Sequence, residues 1–145
     1  NKVVVLKPEY DAEGLPTTES LIKLFDTVHG LMQSGKAVAC YTPGMGGIAE
    51  AVMKMGFGNG LGFQFADDVT VDELFGYSYA AFVVEVTGDV ENARLLGTVT
   101  NDGKLTLKEL YTFCYNGVNS LGDSIGFDQS VQVYPLNSSF VCWAK

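Results

Sequence analysis

A chain of 145 residues, 47% hydrophobic and 12% aromatic with only 18% charged, can bury one core without disulfides or a structural metal, which excludes a disordered or low-complexity polypeptide. Seventeen acidic against nine basic residues give a formal net charge of -8, a field that repels a phosphate backbone, and no Lys/Arg cluster interrupts it, so nucleic acid is not an expected partner. No apolar run approaches the roughly 20 residues of a membrane helix, and no charged leader precedes one, so the chain is expected off the membrane, in the cytoplasm.

In chain order, Val3 to Leu6 reads as a buried strand ended by Pro8. A helix follows, capped by Thr17 or Thr18, with Leu21, Ile22, Phe25, Val28, Leu31 and Met32 at helical spacing until Gly35. Ala37 to Tyr41 is a second strand, leading through Thr42-Pro43-Gly44-Met45-Gly46-Gly47 into a helix over Ile48 to Met55. The glycine-rich segment Gly56 to Gly62 turns into a strand at Leu61 to Phe65. Thr70 is placed to cap one or two helical turns over Val71 to Phe75, and Ala80 to Val86 is a strong strand. Leu95 to Thr100 and Lys104 to Leu107 flank Asn101-Asp102-Gly103, whose residues suit a hairpin loop. Lys108 to Asn119 carries helical spacing, and the tail from Asp123 has no clear pattern. The chain opens at Asn1 without a Met and closes on the apolar segment Phe140 to Lys145, so residues 1–145 are expected to be a single domain excised from a larger enzyme.

The segment from Ala39 to Glu50 carries most of the chemistry. A strand ending in a glycine turn that opens a helix leaves backbone N–H groups at the positive end of a helix dipole, and glycine lets an anion approach them. Phosphate suits that geometry. The same residues also fit a tight turn whose glycines permit positive φ and close packing. A Walker loop is excluded because no Lys-Ser/Thr pair follows the glycines. Gly44, Gly46 and Ala49 satisfy the dinucleotide spacing, with Asp67 and Asp68 further on, but the chain after Ala80 does not continue as strand-helix-strand.

Other residues carry less. Cys40, Cys114 and Cys142 are widely spaced in apolar segments and read as buried free thiols. His29, the only histidine, lacks a nucleophile or fellow ligands and reads as structural or surface. Asp67-Asp68 and Asp72-Glu73 bracket a short helix, where carboxylates cap and solvate rather than ligate Mg²⁺. Phe75, Tyr77, Tyr79 and Phe82 read as core or a domain contact. No acid, base and nucleophile converge, so neither a catalytic residue nor a metal ligand is expected in this chain.

The stretch from Ser34 to Met55, followed by Gly58-Asn59-Gly60-Leu61-Gly62, resembles the C-terminal domain of the aminoimidazole ribonucleotide synthase superfamily, and within it the large-type phosphoribosylformylglycinamidine synthases. Glu73 to Val86 and Leu95 to Val99 look like that family's short helix and its following strands. The resemblance implies a three-layer α/β (α+β) domain with a mixed sheet, paired with an N-terminal partner domain. It implies ATP-driven ligation: the amide oxygen of formylglycinamide ribonucleotide is phosphorylated and then displaced by ammonia released from glutamine in a separate glutaminase domain. Thr42 and the Gly44, Gly46 and Gly47 amides would then meet phosphate, with ATP or ADP and Mg²⁺ bound by the full-length enzyme. The family's His-Asp-x-Ser-Asp-Gly-Gly loop is replaced here by Cys40 to Gly47, without the His or acids, which points to the second, auxiliary half of a duplicated synthase and to an isolated domain without activity. Rival expectations are another enzyme of the superfamily (aminoimidazole ribonucleotide synthase, selenophosphate synthetase or thiamine-monophosphate kinase) or a non-enzymatic module that binds nucleotide or protein.

Overall fold

The computed structural model of the chain describes residues 1–103 and 105–106. The helix expected over 108–119, the tail from Asp123, Cys114 and Cys142 lie outside the described residues. Among the described residues the order is β1 (Lys2–Leu6), α1 (Thr18–Gln33), β2 (Ala37–Tyr41), α2 (Gly47–Gly56), β3 (Gly62–Phe65), α3 (Val71–Phe75), β4 (Phe82–Val86), β5 (Arg94–Thr100) and β6 (Leu105–Thr106).

Alternation along the strands decides the layers. On β1, Val3 and Val5 point to one face of the sheet and Val4 and Leu6 to the other, as extended backbone requires. Leu24, Val28 and Leu31 of α1 close over Val4, Leu6, Val84 and Val86. On the opposite face Ile48, Ala51 and Val52 of α2 and Leu74 of α3 pack on Val3, Val5, Phe63, Val83 and Leu96. The fold is therefore a three-layer α+β domain, helix on sheet on helix. Ile48, Leu96, Val83 and Val84 have 0% exposure, and each such side chain stabilises the fold by roughly 1.5–3 kcal/mol relative to solvent.

The strand order is β2-β4-β1-β5-β3-β6. β1 and β2 are each antiparallel to β4, so they run in the same sense with an opposing strand between them. β5 is antiparallel to both β1 and β3, and β6 is parallel to β3, which makes the sheet mixed. The sequence leads one to expect β5 and the segment after Gly103 to pair as a hairpin. They do not. β1 and β3 occupy both hydrogen-bonding edges of β5, so the chain passes to the far side of β3 and joins there.

The buried face of α1 also differs from its periodicity. Leu24 is buried with Val28 and Leu31, whereas Ile22, Phe25 and Met32 are largely exposed, because the sheet covers one seam of the helix only. Gly35 takes φ +69 just after this helix, the left-handed stop its sequence promised. Strand β4 begins at Phe82 rather than Ala80, since Ala80 holds φ +59, outside any strand conformation. Leu6 pairs with Phe82 and Tyr41 with Val83, so the ends of β1 and β2 and the start of β4 share one end of the sheet. The loops over 7–17 and 42–46 both leave from that end.

Candidate functional site

Tyr41 ends β2 at one edge of the sheet, and residues 42–46 carry the chain to α2. The Gly47 amide donates to the Gly44 carbonyl at 3.1 Å, closing a four-residue turn with fully exposed Met45 at its tip. Thr42 and Gly44 are exposed, Gly46 is half-buried and Gly47 is buried. The turn thus gathers Gly44, Gly46 and Gly47, with Thr42 two residues before it, but gives them different surroundings.

Gly47 is a packing residue. Its φ is +66, and a Cβ there would lie 2.4 Å from the Leu74 carbonyl oxygen and 3.2 Å from Phe75 Cα, so the absence of a side chain lets α2 sit against α3. Gly46 has a different task. Its amide donates to Glu50 Oε2 at 2.7 Å, and a Cβ on Gly46 would come within 2.7 Å of Glu50 Cβ. The other Glu50 oxygen accepts from Lys54, whose ammonium lies 5.9 Å from the centre of the Tyr41 ring. The hydrogen bond from Lys54, and after it the Gly46 amide, hold the Glu50 carboxyl below its ordinary range, and the bond to Glu50 holds Lys54 above its own. A carboxylate, itself an anion, therefore rests on the amide at the head of α2. Sequence reasoning gave Glu50 no role, although an acid in the first turn with a lysine four residues on is a recognisable signal.

The carboxylates around α3 are engaged by a residue the sequence did not single out. Arg94 donates from Nε and Nη2 to the two oxygens of Glu73 at 3.0 and 3.1 Å, and from Nη1 to Asp68 Oδ2 at 2.7 Å. The guanidinium pulls the Asp68 carboxyl below its ordinary range, while the two acids push Arg94 up. Thr70 Oγ1 accepts from the Glu73 amide at 3.2 Å, the cap its position foretold. Asp67, Asp72 and His29 are exposed. Cys40 is a half-buried free thiol whose pKa burial raises, which makes it a poor nucleophile. Among the described residues no three His, Cys, Asp or Glu side chains form a cluster that could hold a metal, and no helix is long and apolar enough to cross a membrane.

The aromatic set divides. Phe82 is half-buried against Phe25, with ring centres 5.9 Å apart, but Tyr77 and Tyr79 are each 60% exposed and so lie outside the core. A cleft of about 350 Å³, open mouth included, lies at the far end of α2 between Val52, Met55, Leu61, Phe63 and Val99, with Glu85 in its wall. Glu85 accepts there from Asn1 Nδ2 at 2.6 Å. None of the four candidate loop residues lines this cleft.

No family model matches the chain. No solved structure matches it. Among curated proteins it is similar to the phosphoribosylformylglycinamidine synthase subunit PurL of Staphylococcus carnosus (strain TM300), with 28% identity over 126 residues, 84% of this chain. That likeness is to a portion of the subunit, for the chain spans 17% of its relative's length.

Proposed function

We propose that this chain is a domain of an ATP-dependent carbon–nitrogen ligase of purine biosynthesis, acting on formylglycinamide ribonucleotide, and that its glycine turn meets phosphate at the junction with an N-terminal partner domain. The similarity to PurL over 84% of the chain carries the reading. The turn supports it physically. The Gly46 amide already holds a carboxylate, so its surroundings accept negative charge, and Thr42 and Gly44 face outward beside it. Gly47 fixes the angle between α2 and α3 and contributes shape rather than a contact.

Phosphate reaching Gly46 would take the place of the Glu50 carboxylate, and Lys54, tethered near Tyr41, would remain to offset the added charge. ATP, when bound, would supply the phosphoryl group and leave as ADP. Magnesium would accompany the nucleotide on ligands from the partner domain, since the turn itself offers no set of carboxylates. Glutamine hydrolysis belongs to a separate glutaminase domain in this reading, and the chain alone completes no reaction.

Equilibrium titration of ADP and ATP into a longer polypeptide holding this domain and its N-terminal neighbour tests the proposal. Gly46→Ala, which drives a Cβ into Glu50, is expected to weaken binding, and Glu50→Gln, which removes the competing charge, to tighten it. Equal affinity in all three proteins takes the turn out of the site.

A further inference from the structure

A second surface, independent of the ligase reading, is built from the loop over residues 7–17 and the segment just before β4. Tyr10 and Tyr77 meet edge to face with ring centres 5.2 Å apart, and Tyr79 lies 6.4 Å from Tyr77. Hydrogen bonds from their hydroxyls hold the rings of Tyr10 and Tyr77 in place. Tyr10 Oη donates to the Tyr79 carbonyl at 2.8 Å, and Tyr77 Oη donates to the Gly14 carbonyl at 2.7 Å. Tyr79 sits in a turn closed by the Ala81 amide on the Ser78 carbonyl at 3.1 Å. That turn puts Ala80 at φ +59, a conformation costly for a residue with a Cβ. The outcome is an aromatic shelf, with Tyr77 and Tyr79 each 60% exposed and Leu15, next in the chain to Gly14, at 52%.

Charge says what the shelf fits. The loop and the first turn of α1 carry Glu9, Asp11, Glu13 and Glu19, all exposed, against the single cation Lys7. An anionic ligand would meet repulsion there. A cation would be drawn in by the carboxylates and held over the ring faces, and a planar guanidinium serves best because it stacks on tyrosine while its N–H groups reach carboxylates. We infer that the Tyr10–Tyr77–Tyr79 shelf with its acidic rim is a docking surface for an arginine-bearing segment of a partner protein.

The test is titration of the 145-residue chain, followed by NMR, with an acetylated and amidated Gly-Arg-Gly-Arg-Gly peptide and with its glutamate counterpart. The arginine peptide is expected to shift the ring signals of Tyr10, Tyr77 and Tyr79. Tyr77→Ala and Tyr79→Ala are each expected to weaken binding by about two- to five-fold, the contribution of one exposed cation–π contact. Tyr79→Phe keeps the ring and should bind as wild type, which separates stacking from misfolding. Glu9→Gln with Glu13→Gln should weaken binding and flatten its salt dependence more than Asp26→Asn with Glu91→Gln does. The inference is overturned by shifts spread evenly over the acidic surface and unmoved by the tyrosine variants, or by a stronger response to the glutamate peptide or to ADP.

Discussion

The start of α2 meets the end of α3, and the first turns of both helices hold a carboxylate, yet those first turns are closed in opposite ways. At α3 the closure comes from several side chains: Thr70 caps the Glu73 amide, and Arg94 locks Glu73 and Asp68 with a bidentate grip and a further bond. At α2 no side chain precedes the helix as a cap, and the turn of glycines is shut by one carboxylate reaching back from Glu50. Several partners make the α3 start a structural joint, whereas a single acid leaves α2 with an amide that another anion could reach. The glycines differ in the same way: Gly47 brings the start of α2 against the end of α3, and Gly46 leaves room for Glu50.

If the joint is as tight as this, the largest effect should come from Gly47. Gly47→Ala places a Cβ 2.4 Å from the Leu74 carbonyl at a φ of +66. It is expected to destabilise the chain by about 2–4 kcal/mol, combining backbone strain with overpacking. Chemical denaturation measures it, and a loss within about 0.5 kcal/mol, the usual span of surface substitutions, would mean that the helices are not pressed together here. Removing the α3 cap comes next. Thr70→Ala should cost about 1 kcal/mol by the same measurement, and Thr70→Ser should restore most of it.

The elements of both helix starts were legible in the sequence because their signals are local. Thr70 precedes an acidic first turn, and a strand, a glycine run and an alanine-rich helix follow one another without a gap. What closes those starts was not legible. Arg94 lies 21 residues from Glu73 and 26 from Asp68, a pairing that only the packing of β5 beside the α3 segment creates. The course of β6 was hidden for a related reason: Asn101-Asp102-Gly103 encodes a reversal of the chain, but not that β1 and β3 already flank β5. On α1, the periodic reading joined two seams, and only tertiary contact distinguishes the buried Leu24-Val28-Leu31 from the exposed Ile22, Phe25 and Met32. For Tyr77 and Tyr79 the sequence left a core and a domain contact open, and their 60% exposure removes the core, because a hydrogen-bonded turn faces them outward.

Arg94 sharpens the contrast further. Arg94→Met keeps the aliphatic stem and removes every contact to Glu73 and Asp68, leaving Thr70 as the sole side chain closing α3. Because the guanidinium is partly exposed, the loss in stability should be modest, about 0.5–1 kcal/mol. Hydrogen exchange at the Glu73 and Leu74 amides should rise more than at Gly46 or Gly47. A uniform rise across both helix starts would instead make them one cooperative unit and remove the distinction between them.

The smallest effect isolates Glu50 itself. Lys54 and the Gly46 amide hold its carboxyl below the ordinary glutamate range, so the tie to Gly46 is complete at neutral pH. It should be lost as pH falls through that lowered value, since a protonated carboxyl accepts more weakly. Followed by NMR, the Gly46 amide should titrate with a midpoint below about 4.3, the value of an unperturbed glutamate. The Gly47 amide, bonded to the Gly44 carbonyl, should show no such step. Glu50→Gln should abolish the step while leaving the fold intact, because an amide oxygen can still accept from Gly46. Persistence of the step in Glu50→Gln would assign the titration elsewhere, and a wild-type midpoint at or above the ordinary value would mean that the carboxylate does not rest on the turn. In either case the start of α2 would need another closure, and the amide proposed to receive phosphate would have lost the anion that marks it.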